Sequence, residues 1–107
     1  MTPLTYEILL ALADGDRHGY GIIKEIEGRA GAASAPSTGA LYLALQRMQG
    51  KGLIEEARGR PANDDDPRRR YYRLTDEGRE HAKDESIRLA ALVSAARAKK
   101  LLAEGAS

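Results

Sequence analysis

No cysteine, phenylalanine or tryptophan occurs among the 107 residues of this chain. The missing cysteine removes disulfides, thiolate nucleophiles and cysteine-ligated zinc or iron together, and it fits a reducing compartment. Five tyrosines are the only aromatic residues, so each one stands out as a candidate for packing or recognition. No apolar run reaches membrane length and no signal-like segment is visible, which points to a soluble, cytoplasmic protein with no membrane partner. The two histidines, His18 and His81, are far apart, and neither stands beside an acidic pair at ligand spacing. No metal site or cofactor is therefore expected, and His18 is expected to cap or pack the start of a helix. Catalysis lacks support as well: there is no Ser-His-Asp order in local context and no glycine-rich phosphate loop after a strand. At this length, with 42% hydrophobic residues, one domain with a modest core is the natural reading.

What is present is concentrated between Ser37 and Gly78. Ser37 and Thr38 are hydroxyl caps for a helix whose Leu41, Leu45 and Met48 recur at spacings of four and three on one face. Tyr42, Gln46 and Gln49 follow the same spacing on another face. Gly50 and Gly52 bracket the stop. A ribbon follows, with LIEEAR (53–58) as one strand, RRYYRL (69–74) as the return and an irregular connection over 59–67. Alternation in the second strand puts Tyr72 and Leu74 on one face and Arg69, Tyr71 and Arg73 on the other. Thr75 then caps a new helix, with Asp76 and Glu77 in its first turn.

Before this stretch, Thr2-Pro3 opens a helix with an apolar stripe of Leu4, Ile8, Leu9 and Leu12 that ends at Asp14-Gly15. A second helix begins near Arg17-His18 and carries Tyr20, Ile22, Ile23 and Ile26 before Gly28. Residues 28–36 form a small-residue connection, broken from the next helix by Pro36. The final helix is expected from Asp76 to about Ala103, roughly 40 Å at 1.5 Å per residue. Its second half is apolar on more than one side, with Ile87, Leu89, Leu92, Val93, Ala96, Leu101 and Leu102. Arg88, Arg97, Lys99 and Lys100 interrupt it, which disfavours a membrane and suits a partner helix. These residues are the expected interface of a two-fold homodimer. The fold class is thus mostly α with a small β-hairpin: a winged helix-turn-helix head at 1–75 and a dimerisation helix at 76–107.

The net charge of +1 hides an uneven distribution. Residues 58–73 hold six arginines against Asp64, Asp65 and Asp66, while residues 1–36 hold three basic against five acidic side chains. The wing is therefore where phosphate contacts are expected.

Three segments in order, HGYGI (18–22), STGALYLALQRMQGKGLI (37–54) and YYRLTDEG (71–78), resemble the PadR-like transcriptional regulators, in the compact form with a single C-terminal helix. The resemblance implies a dimeric winged-helix repressor or activator, often answering to a small-molecule effector, and a repressor is the expectation here. It implies double-stranded DNA as partner, with two recognition helices about one turn (~34 Å) apart on a near-palindromic site. Ser37, Thr38 and Gly39 would face phosphate at the helix N-terminus. Tyr42 would contact backbone or base edge, or else pack in the core. Gln46 would pair with adenine or remain a solvated glutamine. Arg47 and Lys51 would meet phosphate or simply stabilise a helix C-terminus. Arg68, Arg69 and Arg70 would enter the minor groove or track phosphates, with Arg58 and Arg60 flanking them on the other side of the wing as further DNA contacts, and Tyr20 would reach a phosphate or pack helix two. The acidic wing tip either points away from DNA or pairs with those arginines.

Two departures from the family pattern stand out. Ala40 occupies the place where G-T-L-Y is common, and residues 76–107 contain no aromatic side chain on which a planar drug could stack. The rival reading is a winged helix that binds a protein rather than DNA.

Overall fold

Four helices surround a three-stranded antiparallel sheet in a computed structural model that describes residues 1–31, 33, 35–57 and 69–103. Helix α1 spans Pro3–Leu12, strand β1 Arg17–His18, α2 Gly19–Ala30, α3 Thr38–Gly50, β2 Ile54–Glu56, β3 Tyr71–Leu74 and α4 Asp76–Ala98. The strand order is β1-β3-β2, so β3 is central. Its register pairs Arg17 with Tyr72 and His18 with Tyr71 on one side, and Ile54 with Leu74 and Glu56 with Tyr72 on the other.

Each helix starts where the sequence places a cap. Thr2 accepts from the Thr5 amide, Ser37 from Ala40 and Thr75 from Gly78, each satisfying an amide that the first turn leaves unpaired. The apolar stripes converge on one core: Ile8, Leu9 and Leu12 of α1, Ile22 and Ile26 of α2, Leu41, Leu45 and Met48 of α3, then Leu53, Ile54 and Tyr72.

The turn from α3 into β2 fixes the geometry of the wing. Leu53 donates its amide to the Met48 carbonyl at 3.0 Å and Gly52 donates to Gln49 at 3.0 Å. This is the Schellman pattern, with Gly52 at φ +76° in the left-handed position that glycine occupies without a Cβ penalty. The start of α4 is tied onto the same turn. The Thr75 hydroxyl donates to the Gly52 carbonyl at 2.6 Å and the Thr75 amide to Leu53 at 3.2 Å. Gly78 lies against the Leu53 carbonyl so closely that a Cβ there would collide with it.

The structure corrects several boundaries. The hairpin acquires a third strand, β1, where the second helix was expected to begin. Helix α2 runs through Gly28 and stops only at Gly31, at φ +87°. The regular ladder covers 54–56 and 71–74 rather than 53–58 and 69–74, although the Ala57 amide still donates to Tyr71 at 2.7 Å. Tyr71, expected on the solvent side, is buried, and the ring of His18, its partner on the neighbouring strand β1, stands edge-on to it at 5.2 Å. Helix α4 ends at Ala98, not near Ala103. Leu101 donates to Ala96 and Lys100 to Arg97, a second Schellman closure in which Lys100 takes φ +63°. Leu101 and Leu102 therefore lie beyond the helix, whose 23 residues span about 35 Å.

The first half of α4 packs on α1, where the Tyr6 and Ser86 hydroxyls share a 2.7 Å hydrogen bond and Arg79 donates to the Ala13 carbonyl at 3.2 Å. Beyond Ser86 the helix leaves the head, and Ile87, Leu92 and Val93 are exposed.

Two glycine substitutions separate a packing requirement from a weakness in helix propensity. Gly78→Ala is expected to destabilise by about 1–3 kcal/mol, the scale of overpacking against immovable backbone. Gly28→Ala, where a Cβ would meet nothing within 4 Å, is expected to stabilise by roughly 0.5–1 kcal/mol. Urea denaturation midpoints check both.

Candidate nucleic-acid interface

The N-terminus of α2 is built by His18. Its Nδ1 accepts the Gly21 amide at 3.0 Å, which makes the histidine the N-cap of the helix. Gly19, the next residue, packs under Tyr42 of α3, and a Cβ there would run into the tyrosine hydroxyl and ring carbon Cζ. The absence of a side chain at this one position lets α2 and the Tyr42 ring approach each other. Because β1 pairs antiparallel with β3, the residues before Tyr71 continue alongside those after His18. Arg69 and Arg70 are thereby laid past the start of α2. His18, Gly19, Tyr20, Tyr42, Arg69, Arg70 and Tyr72 together line an open cleft of about 410 Å³.

Two tyrosines flank this cleft from different helices, Tyr20 at 60% and Tyr42 at 45% exposure. Both keep aromatic surface free for a ligand that the core would otherwise have claimed. Tyr20 lies nearly parallel to His18 at 6.4 Å, and the Lys24 ammonium stands 5.3 Å from the centre of the Tyr20 ring, within cation–π range. The Tyr20 hydroxyl, and then Glu27, hold Lys24 above its usual range. Tyr72 is buried, and that burial pushes its phenol up; Tyr42 and Glu56 add to the shift and Arg70 opposes it. Tyr72 thus keeps its proton and remains a hydrogen-bond donor at the cleft wall.

Three acidic side chains on the head, Asp14, Asp16 and Glu25, are engaged by arginines. Arg17 pairs with Asp14 at 3.4 Å and Glu25 at 3.6 Å, Arg29 with Glu25 at 3.1 Å and Arg73 with Asp16 at 3.3 Å. Arg73, expected to face solvent, is half-buried and turned toward this network. The charged residues that line the cleft are the two arginines, although the chain is nearly neutral.

Along α3, Ser37, Thr38, Gly39, Tyr42 and Gln46 are all exposed. The Ser37 Oγ accepts from Ala40 at 3.1 Å, so this oxygen already serves the cap while its hydroxyl proton can still be donated. Arg47 and Lys51 are not brought to the cleft. At about 100° per residue they sit well round the helix from Tyr42, and they border a separate groove of about 300 Å³ with Thr2, Leu4, Thr5 and Leu43. Arg58, Arg60 and Arg68, with the acidic tip at Asp64–Asp66, lie outside the described residues.

Sequence reasoning had singled out Tyr20, Tyr42, Arg69 and Arg70 but missed Gly19 as part of the cleft and treated His18 and Tyr72 as structural only. The signal for Gly19 lay in HGYGI, where a glycine separates two ring residues. For β1 there was none: two residues without a branched or large apolar side chain carry no strand pattern.

Comparison with known proteins places the chain. The model of the transcriptional regulator PadR-like family matches residues 8–84. The chain belongs to the PadR-like family. It is accordingly a member of a family of transcriptional regulators, not of enzymes. It is similar to a PadR family transcription regulator from Clostridium difficile R20291, at 27% identity and a TM-score of 0.77, over 90% of this chain and 96% of that one. Bacillus subtilis PadR, whose structure is of a complex with operator DNA, shares the fold at 24% identity and a TM-score of 0.67, over 80% of this chain and 48% of that one. An uncharacterised protein of Lysinibacillus sphaericus is 35% identical over 72 residues, 67% of this chain; the match spans 64% of that protein's length.

For this PadR-like head, Gly19→Ala is a sensitive probe of the cleft. The new methyl displaces the end of the exposed Tyr42 side chain rather than backbone, so stability should fall by only about 1 kcal/mol, the low end of overpacking. The Tyr42 ring resonances should shift clearly in NMR spectra, and unchanged ring shifts would contradict the close approach.

Proposed function

We propose that the protein is a cytoplasmic homodimeric regulator that binds double-stranded DNA at a near-palindromic operator, with the cleft between α2, α3 and the wing as its reading face. The observation that carries this reading is the convergence of Tyr20, Tyr42, Arg69 and Arg70 from three separate elements on one open cleft. Phosphate binding needs cations and donors on a shared surface, and base reading needs an exposed helix face beside them. The face of α3 bearing Ser37, Thr38, Gly39, Tyr42 and Gln46 supplies the second element. Bacillus subtilis PadR, which shares the fold, forms a complex with operator DNA.

Residues 1–75 act as the reading head and 76–107 as the joining element. On a single copy Ile87, Leu92, Val93 and Leu101 are exposed, with Leu89, Ala96 and Leu102 half-buried. Leaving Ile87 at 70% exposure forfeits part of the roughly 1.5–3 kcal/mol that its full burial is worth, and a second copy of α4 is the partner that recovers it. Repression is the mode of control, relieved by a small-molecule effector that does not rely on aromatic stacking from the last helix.

The slope of log affinity for a random-sequence duplex against log salt tests the reading. It should be negative, by about 0.9 for each phosphate neutralised. Tyr42→Ala combined with Arg69→Ala should weaken binding by roughly tenfold or more, about 1.4 kcal/mol, and should leave the dimer intact in sedimentation. No binding at low salt would remove the DNA reading and leave a protein-binding winged helix.

A further inference from the structure

We propose that Lys24, on the second turn of α2, is a further DNA-binding residue, whose ammonium leaves Glu27 and takes a phosphate oxygen when a duplex enters the cleft. The proposal rests on the DNA reading of that cleft and extends its footprint along α2.

Helix α2 turns one stripe to the core and another to solvent. Ile22 and Ile26 are buried, whereas Tyr20 and Lys24, one helical turn apart on the other side, are exposed. Tyr20 lines the cleft, and Lys24 follows about 6 Å further along the helix axis. In a helix-turn-helix unit the second helix lies in the major groove while the first crosses the sugar-phosphate backbone. With α3 as the reading helix, the exposed stripe of α2 is the part that meets phosphates.

The helix carries two cations, Lys24 and Arg29, and their surroundings differ. Arg29 is held by Glu25 at 3.1 Å and by the Glu7 carbonyl at 3.1 Å, and Glu25 also faces Arg17. Lys24 is 55% exposed, and among the described residues it pairs with one carboxylate, Glu27, at 3.6 Å. That separation is longer than a good hydrogen bond. The lysine also precedes the glutamate, the less stabilising order on a helix. Exposed pairs of this kind contribute little, so exchanging the carboxylate for a phosphate sacrifices little.

Tyr20 supplies what a solitary surface lysine lacks. Its ring centre lies 5.3 Å from the Lys24 ammonium, within cation–π range. A long side chain ordinarily loses rotamer freedom when a ligand fixes it, and the ring imposes part of that order in advance. Arg69 and Arg70 line the cleft from the wing. Lys24 adds a cation on the α2 side, so a duplex seated on α3 is met by positive groups from both flanks.

The test measures the affinity of the full chain for a labelled random-sequence duplex between about 0.05 M and about 0.3 M salt. Lys24→Gln should lower affinity by roughly five- to tenfold at about 0.1 M and make the log–log slope less steep by about 0.9, the signature of one lost phosphate contact. Glu27→Gln should raise the parent's affinity by roughly two- to threefold, the scale of one exposed ion pair. That gain should vanish once Lys24→Gln is in place. Lys83→Gln removes the same charge from α4, where Lys83 pairs with Glu80, and should keep the parent slope. A parent-like slope in Lys24→Gln, an equal loss of slope in Lys83→Gln, or an equal gain from Glu27→Gln with and without Lys24 overturns the proposal and leaves the DNA reading in place. A parent that binds no duplex at low salt overturns the DNA reading itself.

Discussion

Strand β3 is the constraint on which the rest of the molecule depends. Its four residues pair with β1 on one side and β2 on the other. Through β1 it sets the start of α2, through β2 it holds the end of α3, and through Thr75 it opens α4. A central strand is buried by its neighbours as well as by its faces, which is why the consecutive tyrosines Tyr71 and Tyr72 are both covered. The arginines just before it, Arg69 and Arg70, are then carried to the cleft by register alone.

A nearly neutral chain lines the proposed cleft with two arginines, Arg69 and Arg70. Three acidic residues of the head, Asp14, Asp16 and Glu25, pair with Arg17, Arg29 and Arg73. These exposed and half-exposed pairs add little stability, but they engage three carboxylates of the head. Net charge alone would have argued against a nucleic-acid partner. The distribution along the chain, and then the pairing in three dimensions, reverse that argument.

Much of the fold was legible because it rests on local rules. Thr2, Ser37 and Thr75 cap the helices as hydroxyl residues before apolar periodicity suggest, and Leu41, Leu45 and Met48 are buried as their spacing requires. What escaped depends on non-local contacts. Strand β1 exists only because β3 offers it an edge, so nothing in Arg17-His18 announces it. Tyr71 was assigned to solvent by a period-two rule that assumes one open face, whereas the His18 ring of the neighbouring strand meets it there. The end of α4 at Ala98 follows from a left-handed lysine, Lys100, at a position where sequence rules look for glycine. In the cleft, the exposed tyrosines and arginines were visible as residue types, whereas Gly19 gained meaning only when Tyr42 was found above it.

The central claim is that the surface shared by α2, α3 and the wing is where DNA sits. Amide chemical-shift mapping on addition of a duplex tests it most directly. The account predicts that the largest changes fall on Tyr20, Gly21, Gly39, Tyr42, Arg69 and Arg70, with residues of α4 beyond Ser86 little affected. Changes centred instead on the groove bordered by Thr2, Leu43 and Lys51, or on α4, would contradict it.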